Sequence, residues 1–235
     1  MAESQPPDIL RLPHGSAPVQ WRRSSRARRV SLRIDPRSGS VVVTLPLRAG
    51  RRAGRALLMD QAEWVARRLA ALPAAVPLEA GAFVPLHGIP HRIRHAPHER
   101  GGAWAEQGEI IVTGQSAFLA RRVTDFLRAE ARRSFQALVA QKLAAAGITR
   151  SCRITIKDTR SRWGSCAPNG SLAFSWRLVM APPFVQDYVV AHEVAHLAHM
   201  NHGPKFWALV DLLTPHRTRA MAWLKKEGTG LLRVG

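Results

Sequence analysis

Residues 190–207 read Val-Ala-His-Glu-Val-Ala-His-Leu-Ala-His-Met-Asn-His-Gly-Pro-Lys-Phe-Trp, and His192, Glu193 and His196 within them form the pattern His-Glu-x-x-His. On a helix, positions i and i+4 lie about 40° apart on one face, one turn from each other. Two imidazoles so placed reach one Zn²⁺ at roughly 2.0–2.1 Å each. Glu193 lies next to a ligand, where its carboxylate can hold a water at the metal and take its proton. Hydrolytic zinc sites carry three protein ligands and keep a fourth position open. The stretch therefore asks for a third ligand.

Two histidines compete for that place. Continued as an ideal helix, the chain projects His199 within about 20° of His192 and about 60° of His196, whereas His202 points about 80° away from His192. The helix is not expected to continue that far. Pro182-Pro183 opens it, and Asn201-His202-Gly203-Pro204 supplies stop signals, so it should end near Met200. A turn there swings His202 back toward the metal and leaves His199 beside it, so His202 is the expected ligand and His199 the alternative. The spacing of His192, His196 and His202 equals that of the metzincin signature, but His199 stands where that signature has glycine, which counts against a metzincin turn. Glu227 is the only glutamate downstream and lies close to the C-terminus.

These residues need elements to hold them. Cys152-Arg-Ile-Thr-Ile-Lys157 reads as a strand, and 159–170 as a loop closed by Asn169-Gly170, a hairpin-type turn. Ser171–Arg177 reads as the next strand. Running just before the metal helix, it is placed to wall a cleft, where a peptide substrate could add to its edge. Upstream, 116–146 has no Gly or Pro and reads as one long helix capped by Gly147, with Phe118, Val123, Phe126, Leu127, Phe135, Leu138, Val139 and Leu143 as its buried stripe. Glu130 on this helix is expected to pair with a neighbouring arginine.

The first half is β-rich. Val30–Asp35 and Ser40–Pro46 flank a Pro36-Arg-Ser-Gly39 turn and predict a hairpin; Phe83 to His95, turning at Gly88, predicts a second; Glu109–Thr113 predicts a further strand. Residues 50–72 carry Leu57, Leu58, Trp64, Val65, Leu69 and Leu72 at helical spacing. His87, His91, His95 and His98 recur at helical intervals, but Pro85 and Pro90 exclude a helix, so they read as exposed histidines. The first 18 residues hold four prolines and read as a flexible lead-in. The expected division is a lead-in over 1–18, a β-rich part with one helix over 19–114, and a metal-bearing domain over 115–235.

Composition bounds the function. In 235 residues, 46% apolar content supports a real core, and no apolar run long enough to cross a membrane occurs. The N-terminus shows neither the basic region nor the apolar core of a signal peptide. Cys152 and Cys166 make neither a disulfide framework nor a Cys-x-x-Cys knuckle, so a reducing compartment, the cytoplasm, is expected. The formal charge of +19, from 35 Lys plus Arg against 16 Asp plus Glu, predicts attraction to polyanions such as nucleic acid, an anionic surface or acidic substrates. Compositional bias accounts for the same number, and no nucleic-acid-binding motif accompanies it. The run Arg22-Arg23-Ser-Ser-Arg26-Ala-Arg28-Arg29 could grip phosphates; as a solvated strand end it needs no ligand.

Ser161-Arg-Trp-Gly-Ser-Cys166, the strand Leu172–Arg177, and His192-Glu-x-x-His196 followed by Asn201-His202-Gly-Pro-x-Phe206-Trp207 together resemble the YgjP-like family of zinc metallopeptidases, related to the SprT and WLM types. The match in detail covers about 150 to 210. The resemblance implies an α+β fold: a zincin-like domain carrying the His-Glu-x-x-His helix, behind a β-rich N-terminal part and a long helix. It implies one Zn²⁺ on His192, His196 and His202, with Glu193 as general base acting on a peptide or protein substrate. The oxyanion then needs a donor, for which Arg162, Arg177, His199 and Tyr188 are candidates, Arg162 in its loop being the choice. A salt bridge holding the loop is an equal account of Arg162. Trp163 and Trp207 read as structural, and Cys166 as a small buried residue rather than a thiolate cap on the metal. Asp158 and Asp187 could orient ligand imidazoles. A second class of reading is a basic, nucleic-acid-associated protein, either cleaving DNA-bound proteins or using zinc only structurally. Glu193 weighs against a structural zinc, which prefers four protein ligands and has no use for a carboxylate beside it.

Overall fold

A computed structural model of the chain describes residues 8–12, 15–159 and 161–235. Backbone contacts divide it into two compact units, Met1–Ala74 and Ala75–Gly235. Residues 1–7 of the expected lead-in, and Arg160 of the loop, lie outside the described residues.

In the first unit, β1 (Asp8–Leu12), β2 (Gly15–Ser24), β3 (Ser31–Asp35) and β4 (Ser40–Pro46) form one sheet in the order β1-β2-β4-β3. The predicted hairpin is β3–β4, antiparallel, with Gly39 at φ +65° in its turn. The lead-in reading does not hold over residues 8–12 and 15–18, which pair as antiparallel strands. Alternation explains this: Ala17 and Val19 point inward and join Val41, Val43 and Leu45 in a core closed by Leu58 and Val65. Those two come from α1 (Arg51–Asp60) and α2 (Ala62–Ala70), which replace the single helix expected over 50–72. The break is at Gln61, whose φ of −101° and ψ of 16° leave the helical region. Its residues carry no breaker, and the apolar stripe continues across it. Gly54 is set by contact, since a Cβ there would stand 2.5 Å from the Trp21 ring.

In the second unit, β5 (Phe83–Leu86), β6 (Ile89–Ala96), β7 (Ala103–Glu106) and β8 (Glu109–Thr113) form a sheet ordered β5-β6-β8-β7. Both of its hairpins turn on two residues with positive φ, His87-Gly88 (52° and 81°) and Gln107-Gly108 (49° and 79°). That twist matches the flanking strands. The second hairpin lacks an Asn-Gly or Asp-Gly signal, and β7 escaped the sequence reading. Next, α3 (Leu119–Ala145) buries Leu119, Val123, Leu127, Ala131, Phe135, Val139 and Lys142, while Phe118, expected in the stripe, is exposed. Gly147 at φ +65° ends it: its N–H donates to Ala144 O (3.1 Å) and the Ile148 N–H to Leu143 O (3.0 Å). The sheet's Val84, Leu86, Ile93, Ile110 and Val112 share one core with α3, which is why no division falls at 114/115.

A third sheet, ordered β10-β11-β9, is made by β9 (Ile154–Lys157), β10 (Gly164–Cys166) and β11 (Leu172–Ser175). The strand expected over Ser171–Arg177 is thus its central strand, buried throughout and paired on both edges. One of its two neighbours is β10, a half-buried outer strand that lies inside the stretch read as loop. After a 3-10 turn over Trp176–Met180 come α4 (Pro183–Ala195), α5 (Pro204–Leu213) and α6 (Arg217–Leu232).

Helix α4 is apolar almost all round and buries Val185, Val189, Val190 and Val194. Its polar groups are answered individually. Gln186 donates its amide N–H to Ala181 O (2.7 Å) and Val179 O (3.1 Å). Lys142, reaching in from α3, pairs with Asp187 (2.5 Å) and donates to Leu213 O at the end of α5 (2.8 Å). One buried ammonium thereby ties three helices together. Replacing it leaves a carboxylate and a helix-terminal carbonyl without a partner, so Lys142→Met should lower the unfolding free energy by about 3 kcal/mol, read from urea denaturation.

Candidate metal centre

The predicted metal helix ends earlier than expected, at Ala195 rather than near Met200. His192 and Glu193 occupy its last turn, and His196 is its C-cap at φ −64°. A turn follows in which His199 N–H still donates to Ala195 O (2.9 Å). Asn201 to Gly203 then reverse the chain, and Pro204 opens α5 at its first position, where the missing N–H costs nothing. This reversal returns His202 to the end of α4.

One ligand atom from each of His192, His196 and His202 lies within 4.8 Å of the others, and the two Nε2 atoms of His192 and His202 are 3.2 Å apart. Two nitrogens bound tetrahedrally at 2.0–2.1 Å from one ion stand roughly 3.3 Å apart, so the spacing fits a shared zinc-sized cation. The chemistry fits as well. His196 turns its Nδ1 to the carbonyl of His199 (3.1 Å), which leaves Nε2 as the bare donor. Burial, followed by the charges of His196 and His202, pushes the His192 pKa down to about 4, and burial lowers that of His196 too. His192 and His196 are thus neutral donors near pH 7, as metal binding requires. The buried Nδ1 of His192 has no hydrogen-bond partner among the described residues.

His199 enters through its backbone carbonyl and is not in the cluster, whereas His202 is. The other oxyanion candidates separate as clearly. Arg177 is buried away from the site, where it pairs with Asp158, donates to Val234 O (3.1 and 3.2 Å) and stacks on Trp176. Asp158 and Asp187 are therefore engaged with Arg177 and Lys142 rather than with the ligand imidazoles. Tyr188 packs edge-on against His192 at 5.9 Å, and burial raises its hydroxyl pKa. Arg162 is exposed and close enough to Glu193 for its charge to act on that carboxyl. The thiol of Cys166 is held up by burial, with the charge of Glu193 adding to it, and so remains a thiol. The histidines upstream stay out of any cluster among the described residues, although only His98 is exposed as expected. His87 accepts an N–H from Gln186 (3.1 Å) and His95 Nε2 meets Gly114 O (2.6 Å).

Four residues that shape the site were missed or misjudged in the sequence. Phe206, fully buried, packs its ring against all three imidazoles at 5.0, 4.5 and 4.7 Å. Trp207, read as structural, faces His192 and His202 at 5.9 and 5.7 Å and carries Arg217 over its ring at 5.0 Å. Arg217 is aimed by an ion pair from Nε to Asp211 (3.0 Å), and its charge reaches the Tyr188 hydroxyl. Gly164 of β10 faces Glu193 so closely that a Cβ would stand 2.6 Å from its Cγ and Oε1. The aromatic pair lay in plain view at i+4 and i+5 from His202, but spacing alone does not tell packing under a ligand from ordinary core.

Glu193 is 6% exposed. Burial raises its pKa from about 4.5 to about 7, with Arg162 opposing. In the metal-free protein this carboxyl favours folding fully below about pH 4.5, and that contribution is lost as pH rises through 7. The chelated Glu193→Gln variant, which has no such group to ionise, should gain on chelated wild type by about 2 kcal/mol between pH 4.5 and 8. Urea midpoints at the two pH values measure it; a constant difference contradicts the assignment.

The sequence pattern of the family described as YgjP-like, metallopeptidase domain, matches residues 28–227. No curated protein matches the chain. Among solved structures, the chain is similar to the metallopeptidase zymogen abylysin of Pyrococcus abyssi, at 18% identity and a TM-score of 0.35 over 39% of this chain and 95% of that one. It is likewise similar to the metallopeptidase zymogen jannalysin of Methanocaldococcus jannaschii, at 19% identity and a TM-score of 0.37 over 40% and 95%. Likenesses this slight carry no argument about the site.

Proposed function

The chain belongs to the YgjP-like metallopeptidase family, and from that premise we propose that it hydrolyses peptide bonds with one zinc ion on His192, His196 and His202 and with Glu193 as general base. The observation that carries this reading is a buried carboxyl, lifted to about 7, beside three convergent imidazoles. Zinc held there supplies a Lewis acid that polarises the scissile carbonyl and lowers the pKa of the attacking water.

The chain's own residues do the rest. Glu193 takes a proton from the attacking water and returns it to the leaving amine, and a carboxyl poised near neutrality serves in both directions. The β10 backbone at Gly164 confines that carboxylate from one side. Because β10 is an outer strand of its sheet and the one that meets Glu193, its outward main-chain groups suit an extended peptide added as a further strand. That moves the substrate edge from the expected Ser171–Arg177 to Gly164–Cys166. Arg162, adjoining β10, is our choice for contact with the developing oxyanion, and Arg217, held by Asp211 and Trp207, is a second cation for substrate contact. The two free cysteines support a cytoplasmic setting, and no helix among the described residues is long and apolar enough to cross a membrane.

Elemental analysis of the purified protein should find one zinc per chain, lost in His202→Ala and kept in His199→Ala. A wild-type protein that takes up no metal when supplied with zinc sinks the proposal. Glu193→Gln should keep its zinc and lose about 10²- to 10⁴-fold in kcat on a peptide substrate. Gly164→Ala, by displacing the carboxylate, should keep zinc and fold while losing about 100-fold; an unchanged kcat means that β10 does not position Glu193.

A further inference from the structure

The first unit concentrates positive charge at one end of its sheet. In the parallel ladder of β2 and β4 the last rung is Ser24 opposite Pro46, and β3 begins at Ser31 opposite Thr44. The connectors 25–30 and 47–50 therefore leave the sheet at the same end. Arg22 and Arg23 sit on the final rungs of β2, and Arg26, Arg28 and Arg29 in the connector that follows. Arg48 lies in the second connector, and Arg51 and Arg52 open α1 there. All eight are exposed. Arg23 donates to the Leu47 carbonyl (2.8 Å), which draws the two connectors together.

Little among the described residues neutralises them. Between Arg22 and Arg55 the only acidic residue is Asp35, opposite Ser40 at the far end of the sheet. Among the described residues, only Arg51 of the eight reaches a carboxylate, that of Asp8 at 3.9 Å. The first turn of α1 has no acid and no side-chain cap, so its arginines stand where the helix dipole favours anions. Like charges gathered this way repel in the free protein, and a polyanion relieves them.

The chemistry narrows the partner. All eight cations are arginine, whose planar fork meets phosphate with two parallel hydrogen bonds. The one aromatic residue beside them, Trp21, is half-buried, with Gly54 against its ring and Arg51 over it at 5.6 Å, so it is a poor platform for stacking unpaired bases. Leu47 is the one large apolar side chain exposed in this region, too little for insertion into a bilayer. We propose that this end of the N-terminal unit docks on the sugar–phosphate backbone of double-stranded nucleic acid without reading its base sequence.

The test uses the full-length, zinc-loaded protein and a fluorescently labelled DNA duplex of about 20 base pairs, followed by anisotropy between about 50 and 200 mM salt. Affinity should fall log-linearly with salt. Replacing Arg26, Arg28 and Arg29 by Ala together should weaken binding at least about tenfold and flatten the salt slope by about 3. Arg48→Ala with Arg52→Ala should act in the same direction with a slope change of about 2, so that a local distortion in one connector does not decide the result. Removing the same charge from the exposed face of α3, by Arg121→Ala, Arg128→Ala and Arg132→Ala, should change affinity less than about twofold. Equal losses from the connector and α3 triples overturn the docking surface and leave net charge as the cause. Tighter binding to phosphatidylserine vesicles than to the duplex overturns the choice of partner, and no binding overturns the proposal outright. Glu193→Gln should bind like wild type, so failure here and failure of the peptidase reading are separate results.

Discussion

The metal centre depends on bringing ionisable groups into an interior that disfavours their charged forms. Helix α4 is valine-rich and buried on nearly every side, and its last turn carries His192 and Glu193 into that setting. Burial acts on the two in opposite senses. It strips the proton from the imidazole, leaving a lone pair for a cation, and it holds the proton on the carboxyl up to about neutral pH. A donor and a proton acceptor poised in one apolar pocket are what water activation needs. The same burial makes the metal-free centre a local weakness, since a carboxylate ionised there has lost its hydration.

Holding that arrangement falls to residues with no chemistry of their own. Phe206 offers one rigid surface to three imidazoles that come from different parts of the chain, so their rings are set against a shared wall. Gly164 does the opposite service by being absent as a side chain, which lets a strand backbone close over Glu193. Lys142 anchors the helix from behind through Asp187 and the Leu213 carbonyl, at the expense of burying a charge that only a full set of partners can offset.

The first unit works by different physics. Its arginines are exposed, so their mutual repulsion and any attraction to phosphate are screened by salt and act over about 10 Å at most under ordinary ionic conditions. The centre on α4 is dry and short-ranged. One chain thus carries charge in two electrostatic regimes.

Sequence alone determined what is local. The spacing of His192, Glu193 and His196, the proline at the start of α4 and the Asn-His-Gly-Pro stop all lie within a few turns of backbone, where geometry follows from residue type. The β3–β4 and β5–β6 hairpins, the long α3 and its glycine cap were legible for the same reason. What lay beyond was decided by contacts between distant segments. The convergence of His202 rather than the His199 ring depends on where α4 unwinds, which its packing sets. Arg177 looked like a site residue until the C-terminal Val234 carbonyl claimed it, 57 positions away. Glu193 meets Gly164 only because a segment read as loop pairs with β11 and becomes an edge strand. The arginines of residues 22–29 and 48–52 form one cluster only through the register of β2 against β4. Periodicity reports which face of an element is buried; it does not report which other element buries it.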